Sequence, residues 1–254
     1  MKTVEIGGCR IGEGTPKICV PIVETTAEKI LEEAMAIKEI EADLVEWRAD
    51  WFDDVFEMDK VNQVLTKMKE ILSDRPILFT FRTKKEGGEK EISISDYVRL
   101  NQAVAREKLA DLIDVEAFIG KEAVKDLILF IHECGGKVLA SNHDFEKTPE
   151  KKEIIRRLCM MQEFGADIVK IAVMPRNERD VLNLLDATLE MKEKYSDRPV
   201  VTMSMGKYGA ISRLSGELFG SAITFGARKK ASAPGQISVC DLKRELQILS
   251  TKEK

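Results

Sequence analysis

A lysine stands in the middle of an apolar run in the stretch GADIVKIAVMP, residues 165–175. Ile168, Val169, Ile171, Ala172 and Val173 suit a strand covered on both faces, and Lys170 interrupts them. Removing an unpaired ammonium from water is costly. Either a carboxylate meets it or its stem snorkels to the rim, or the burial itself is useful. A lysine of ordinary pKa, about 10.4, is neutral in only about one molecule in 2,500 at pH 7. A pKa about two to three below that raises the nucleophilic fraction several hundredfold.

Other residues with acid, base or anion-binding chemistry recur late in apolar runs. Glu46 and Arg48 are two apart and share one face of a strand. Arg82 and Glu86 follow ILFT, His143 ends VLASN, and Arg213 follows VVTMS. Ser232 and Gln236 lie in GARKKASAPGQIS, residues 226–238, a loop of small residues able to close over a ligand. Each residue has a plainer reading. Glu46 with Arg48 could form a structural charge pair, Glu86 a solvated loop charge, His143 a loop anchor and Arg213 a helix-end neutraliser. His132, just before Gly135-Gly136, reads as a helix-end residue favoured by the dipole.

Positioning these groups requires a repeated scaffold, and the chain shows one. Apolar spacing predicts helices on Ala27, Ile30, Leu31, Ala34 and Ile37, and on Val61, Val64, Leu65, Met68 and Leu72. Further helices fall around Val124–Ile131, around Ile154–Met161 with a Thr148-Pro149 cap, and around Val181–Leu189. Between them lie eight strand candidates, KICVPIV, DLVEWRA, ILFTFRT, LIDVEAF, VLASNHDF, DIVKIAV, VVTMSMG and AITFGA. Ala-Asp opens the second, fourth and sixth, and Ser-Asp-Arg-Pro precedes the third and seventh.

Eight βα units in 254 residues predict a single (β/α)8 barrel over residues 1–254. TVEIGGCRIGEG predicts an N-terminal β-hairpin turning at Gly7-Gly8 and closing one end of that barrel. A doubly wound sheet is the alternative, but GxGxxG and the P-loop are absent. Barrel enzymes work at the C-terminal ends of their strands, where the polar residues above converge.

Composition excludes several classes. The 40 basic and 44 acidic residues are interspersed, giving a net charge of -4, with no stripe for nucleic acid or an anionic membrane. No apolar run could span a bilayer, and residues 1–25 lack a signal-peptide pattern, so the expected location is cytoplasmic. The five cysteines are dispersed without a CxxC pair, and most read as small buried hydrophobes rather than a disulfide or zinc framework.

The set VEWRAD, FTFRTKKEGG, SNHDF, DIVKIAVMP, SRLSG and ASAPGQ resembles the type I 3-dehydroquinase family, in order and over essentially the whole chain. The resemblance implies a lyase of the shikimate pathway of aromatic amino acid biosynthesis. It would dehydrate 3-dehydroquinate to 3-dehydroshikimate by syn elimination through a lysine Schiff base. Lys170, His143 and Glu86 fall on the family's catalytic motifs. Glu46, Arg48, Arg82, Arg213, Ser232 and Gln236 fall on its substrate-binding motifs. It further implies a homodimer and no metal or organic cofactor. The rival readings are a lysine-dependent aldolase acting on a phosphosugar and a barrel that only senses a metabolite.

Overall fold

The computed structural model describes residues 3–250; Met1, Lys2 and residues 251–254 of the expected domain lie outside them. Eight parallel strands follow one another in chain order: β3 (Lys17–Ile22), β4 (Leu44–Arg48), β5 (Ile77–Thr80), β6 (Leu112–Glu116), β7 (Lys137–Asp144), β8 (Ile168–Val173), β9 (Val200–Ser204) and β10 (Ile223–Ala227). They correspond one to one with the eight strand candidates. The sheet curls so that β10 pairs with β3. At the remaining seam, Val200 and Ser221 form a bridge and the Ala222 N–H donates to the Val200 carbonyl at 2.8 Å. A ninth strand, β11 (Ile237–Ser238), joins β10 from outside.

The two faces of the sheet hold different cores. Outward-facing Val45, Trp47, Ile77, Phe79, Val169 and Ile171 pack under the helices, which include α1 (Ala27–Lys38), α2 (Met58–Leu72), α4 (Lys121–Glu133), α5 (Lys151–Glu163) and α6 (Glu178–Glu190). Inward-facing Leu44, Leu78, Leu112, Leu139 and Ile168 form an apolar floor within the barrel. The hairpin β1 (Val4–Ile6) and β2 (Cys9–Ile11) adds buried Ile6 and Ile11 to that floor. Its turn needs left-handed backbone at two successive residues, and Gly7 (φ +51°) and Gly8 (φ +77°) supply it.

Both sequence echoes are staples at the floor end. Asp43, Asp111 and Asp167 accept the N–H of Ile18, Ile77 and Val138 on the preceding strand, at 2.7, 2.9 and 2.8 Å. The second, fourth and sixth barrel strands thereby fix their register to the strand before each. Arg75 of one Ser-Asp-Arg-Pro donates to the Ile37 carbonyl at the end of α1, at 2.6 Å. Arg198 of the other donates to the Gln162 carbonyl in the last turn of α5 and to the Ala166 carbonyl just beyond it. These arginines add side-chain donors to carbonyls at and just beyond two helix ends, where those of Ile37 and Gln162 also accept backbone N–H groups.

Some local expectations fail for definable reasons. The cap of α5 is Glu150, because Pro149 holds Thr148 extended and the Thr148 hydroxyl donates instead to the Met174 carbonyl at 3.1 Å. Only Cys19 is fully buried; Cys9, Cys134 and Cys159 are half-buried and Cys240 is exposed. A helix absent from the sequence reading, α3 (Ile94–Glu107), buries Tyr97 and Asn101 beside Leu100, Val104 and Ala105. That mixed face blurs the aliphatic period by which the other helices are recognised. His132, at the end of α4, does more than oppose a dipole, since its Nε2 lies 2.8 Å from Asp167.

Candidate active site

Strand alternation explains why the site is inside the barrel. On β4 the inward series runs Leu44, Glu46, Arg48; on β6 it runs Leu112, Asp114, Glu116; on β7 it runs Leu139, Ser141, His143. On β8 it runs Ile168, Lys170, Ala172. The apolar floor is thus overlaid by an ionic layer, then by the C-terminal mouth. A small cavity in that mouth is lined by Glu46, Arg48, Arg82, Glu86, His143 and Lys170, with Ser232 and Gln236 above. Larger surface clefts lie elsewhere and contain none of these groups.

Lys170 is 4% exposed. Its Nζ lies 4.3 Å from the centre of the Phe225 ring and 3.9 Å from Asp114 Oδ2. Burial pushes its pKa down and Arg82 adds to that, while Glu46 and Asp114 oppose it; the net direction is downward. The sequence alternatives are both partly realised. A carboxylate is present, but desolvation outweighs it.

His143 and Glu86 form a dyad. The imidazole Nδ1 lies 3.0 Å from Glu86 Oε2, the same oxygen that accepts the His143 N–H at 2.9 Å. Asn142 Nδ2 donates to the other oxygen at 3.0 Å. Glu86 is therefore no solvated loop charge: a short 3-10 turn, Lys84–Glu86, swings it into the barrel mouth, where it is 7% exposed. Burial, reinforced by nearby Glu116, raises its pKa to about 7. Burial together with Arg82, Lys170 and Arg48 pushes the His143 imidazole well below its usual range. Both directions favour the uncharged partners in the ligand-free site.

The cations of the site are held differently. Arg48 grips Asp50 with Nε and Nη2, both at 2.8 Å, and Nη1 reaches the Ser232 carbonyl at 3.4 Å. Arg82 donates Nη1 to Glu116 and Ser141, both at 3.0 Å, and Nη2 to Asp114 at 2.8 Å. Glu46 accepts from the Thr80 hydroxyl at 2.9 Å.

Arg213, on the short helix α7 (Ala210–Leu214), is 2% exposed. Its Nη2 donates to the Pro234 carbonyl at 3.0 Å, Nη1 lies 4.0 Å from Met203 Sδ, and Nε has no partner among the described residues. Burial alone lowers its pKa to about 10, with no carboxylate offsetting the cost. A buried guanidinium in this condition is prepared for an anion. The loop is folded down over it: Gln236 clasps the Ser232 N–H at 2.8 Å and its hydroxyl at 2.9 Å, and the Pro234 carbonyl also accepts from the Gly206 N–H at 3.1 Å.

The profile of the type I 3-dehydroquinases matches residues 18–253. The chain belongs to this family. It is 52% identical to the 3-dehydroquinate dehydratase of Clostridium novyi over 249 residues, 98% of each chain. It is 53% identical to that of Bacillus licheniformis over 248 residues, 98% of each. Among solved structures it superposes on the type I enzyme of Clostridium difficile with a TM-score of 0.95 at 52% identity, covering 98% of both chains. On the Geobacillus kaustophilus enzyme the TM-score is 0.96 at 37% identity, over 100% of this chain and 98% of that one.

For a type I 3-dehydroquinase, the sequence reading omitted a whole tier of the site. Asp50, Asp114, Glu116 and Ser141 are each at most 1% exposed and hold Arg48 and Arg82 in place. The signal was available in part. Asp114 and Glu116 alternate in LIDVE as Glu46 and Arg48 do in LVEWR. Asp50 gave none, because it lies in the 3-10 turn just beyond β4 and turns back through the loop.

Proposed function

We propose that the site dehydrates 3-dehydroquinate through a Schiff base on Lys170, within the shikimate pathway of aromatic amino acid biosynthesis. The carrying observation is one cavity at the barrel mouth in which a desolvated amine meets a His–Glu dyad. Lys170 Nζ attacks the C3 carbonyl carbon. An N–C bond forms, the carbonyl oxygen leaves as water, and one added proton leaves a cationic iminium. That electron sink acidifies the neighbouring C2–H. His143 takes the C2 proton, then delivers a proton to the departing C1 hydroxyl on the same face. Glu86 orients the imidazole and stabilises its protonated form. Water then hydrolyses the iminium and restores the amine.

Substrate binding follows from the cations. Arg213, without a carboxylate partner of its own, takes the substrate carboxylate in bidentate fashion. Glu46 and the free edge of Arg48 orient hydroxyls, and Arg82, already held by two carboxylates, chiefly polarises the site. Ser232 and Gln236 seal the mouth and exclude water from the enamine. The Clostridium difficile relative was solved with a covalently modified comenic acid, which supports covalent chemistry in this site class. One sheet running through the chain supports a single catalytic domain. We extend the family resemblance to a cytoplasmic homodimer, for which sedimentation of the purified protein is the check.

An absorbance assay for the conjugated enone of 3-dehydroshikimate tests this reading. Steady appearance of the enone is expected. Binding of 3-dehydroquinate without turnover would favour a sensor, and competitive inhibition by inorganic phosphate would favour a phosphosugar aldolase.

A further inference from the structure

We propose that Asp114 is the fixed counter-ion of the cationic nitrogen formed at Lys170, a positioning residue that makes iminium formation favourable inside a dry barrel. The inference rests on the Schiff-base reading and concerns a difficulty that this reading creates. Desolvation favours the neutral form of the resting amine, but the same desolvation penalises the iminium, which is also a cation. A site that only buried Lys170 would oppose its own intermediate. Something must stabilise positive charge at Nζ after attack without capturing a proton beforehand.

Asp114 has the geometry for this. Its carboxylate is fully buried and is anchored at both oxygens. Oδ1 accepts from the Ser141 hydroxyl at 2.7 Å, and Oδ2 accepts from Arg82 Nη2 at 2.8 Å. Oδ2 also lies 3.9 Å from Lys170 Nζ. Held in this way, it cannot swing toward the amine or away from it. Arg82 offsets its charge in the resting site, so Nζ can remain neutral. When the nitrogen becomes cationic, the carboxylate is already beside it, and no dipole must reorganise.

The other groups facing Nζ do not replace it. Cys19 on β3 is a buried thiol whose pKa is raised, so it carries no charge at neutral pH. Glu46 on β4 acts in the same direction as Asp114 but is engaged by Thr80. Arg82 after β5 and His143 on β7 carry no anionic charge, and β10 presents the Phe225 ring. Asp114 is the carboxylate within ion-pair reach of Nζ among the described residues.

Asp114→Asn keeps the shape and removes the charge. The purified variant, Asp114→Glu and wild type are incubated with 3-dehydroshikimate and borohydride, and the adduct is quantified by intact mass. The expected trapped fraction at subsaturating product falls at least about tenfold in Asp114→Asn and recovers substantially in Asp114→Glu. Losing a nearby anion lowers an amine's pKa. The acid limb of Lys170 acylation by a small neutral ester, followed by peptide mass, should therefore move about one pH unit lower in Asp114→Asn. A merely structural aspartate would leave that limb in place. Unchanged trapping and an unchanged limb overturn the inference. If Asp114→Asn does not fold, nitrogen-15 NMR of the wild-type product imine decides: a nitrogen that stays protonated well above neutral pH supports the counter-ion, and one that deprotonates near pH 7 overturns it. Absence of any wild-type adduct would instead overturn the Schiff-base reading itself.

Discussion

Replacing Arg213 with Met should stabilise the ligand-free protein and destroy its response to ligand. The guanidinium is 2% exposed, no carboxylate offsets its burial, and its pKa falls to about 10. A loss of some two to three powers of ten in proton affinity corresponds to about 3 kcal/mol. The group remains protonated at pH 7, so the folded protein bears that cost. Met is of similar length and apolar, and it removes the cost along with the unpartnered Nε. It also removes the hydrogen bond to the Pro234 carbonyl, worth about 1.5–3 kcal/mol for a charged donor. The net expectation is a gain of up to about 1.5 kcal/mol, or up to roughly 6 °C in Tm for a chain of this size. Scanning calorimetry with and without 3-dehydroshikimate checks it. Wild type should rise in Tm with ligand, whereas Arg213→Met should start higher and not respond. A variant that is clearly less stable yet keeps the ligand-induced rise would refute the reasoning.

His143→Ala should still accumulate the borohydride-trappable adduct but turn over at least about 10²-fold more slowly, as read by the enone assay. Glu86→Gln should cost less activity, and its stability relative to wild type should depend on pH with a definite sign. A carboxyl raised to about 7 in the fold binds its proton more tightly than in the unfolded chain. Wild type thus loses stability from this group as pH rises from about 4.5 through about 7. Denaturant titrations should show Glu86→Gln gaining on wild type across that window; a constant difference would show that Glu86 does not titrate there. Gly88→Ala should cost about 1–3 kcal/mol and lower kcat, because its Cβ would fall 1.9 Å from the Arg82 carbonyl oxygen and displace that strand end.

The architecture was legible because each barrel unit repeats one physical problem. A doubly covered strand must be apolar and short, and a covering helix must be amphipathic, so periodicity separates the two. The same logic located Lys170, whose charge contradicts its surroundings. What apolar periodicity alone could not place were residues whose environment is created only by closure, Glu86 being assigned through the family resemblance. Glu86 in TKKEGGEKE is indistinguishable from its solvated neighbours until the 3-10 turn carries it inward. Asp114 and Glu116 are ordinary acids until the barrel brings Arg82 between them. Thr148 failed as a cap because its hydroxyl was taken by a strand end 26 residues away, a partner that local sequence does not reveal.

The central claim is that Lys170 is buried in order to be a nucleophile, and covalent trapping tests it most directly. Wild-type protein incubated with 3-dehydroquinate and borohydride should gain one ligand-derived mass per chain and lose activity irreversibly. Peptide mapping should place that mass on Lys170 alone, since exposed lysines stay almost wholly protonated at neutral pH. Lys170→Met should fold and show neither adduct nor turnover. A label on any other lysine, or full activity in Lys170→Met, would contradict the account.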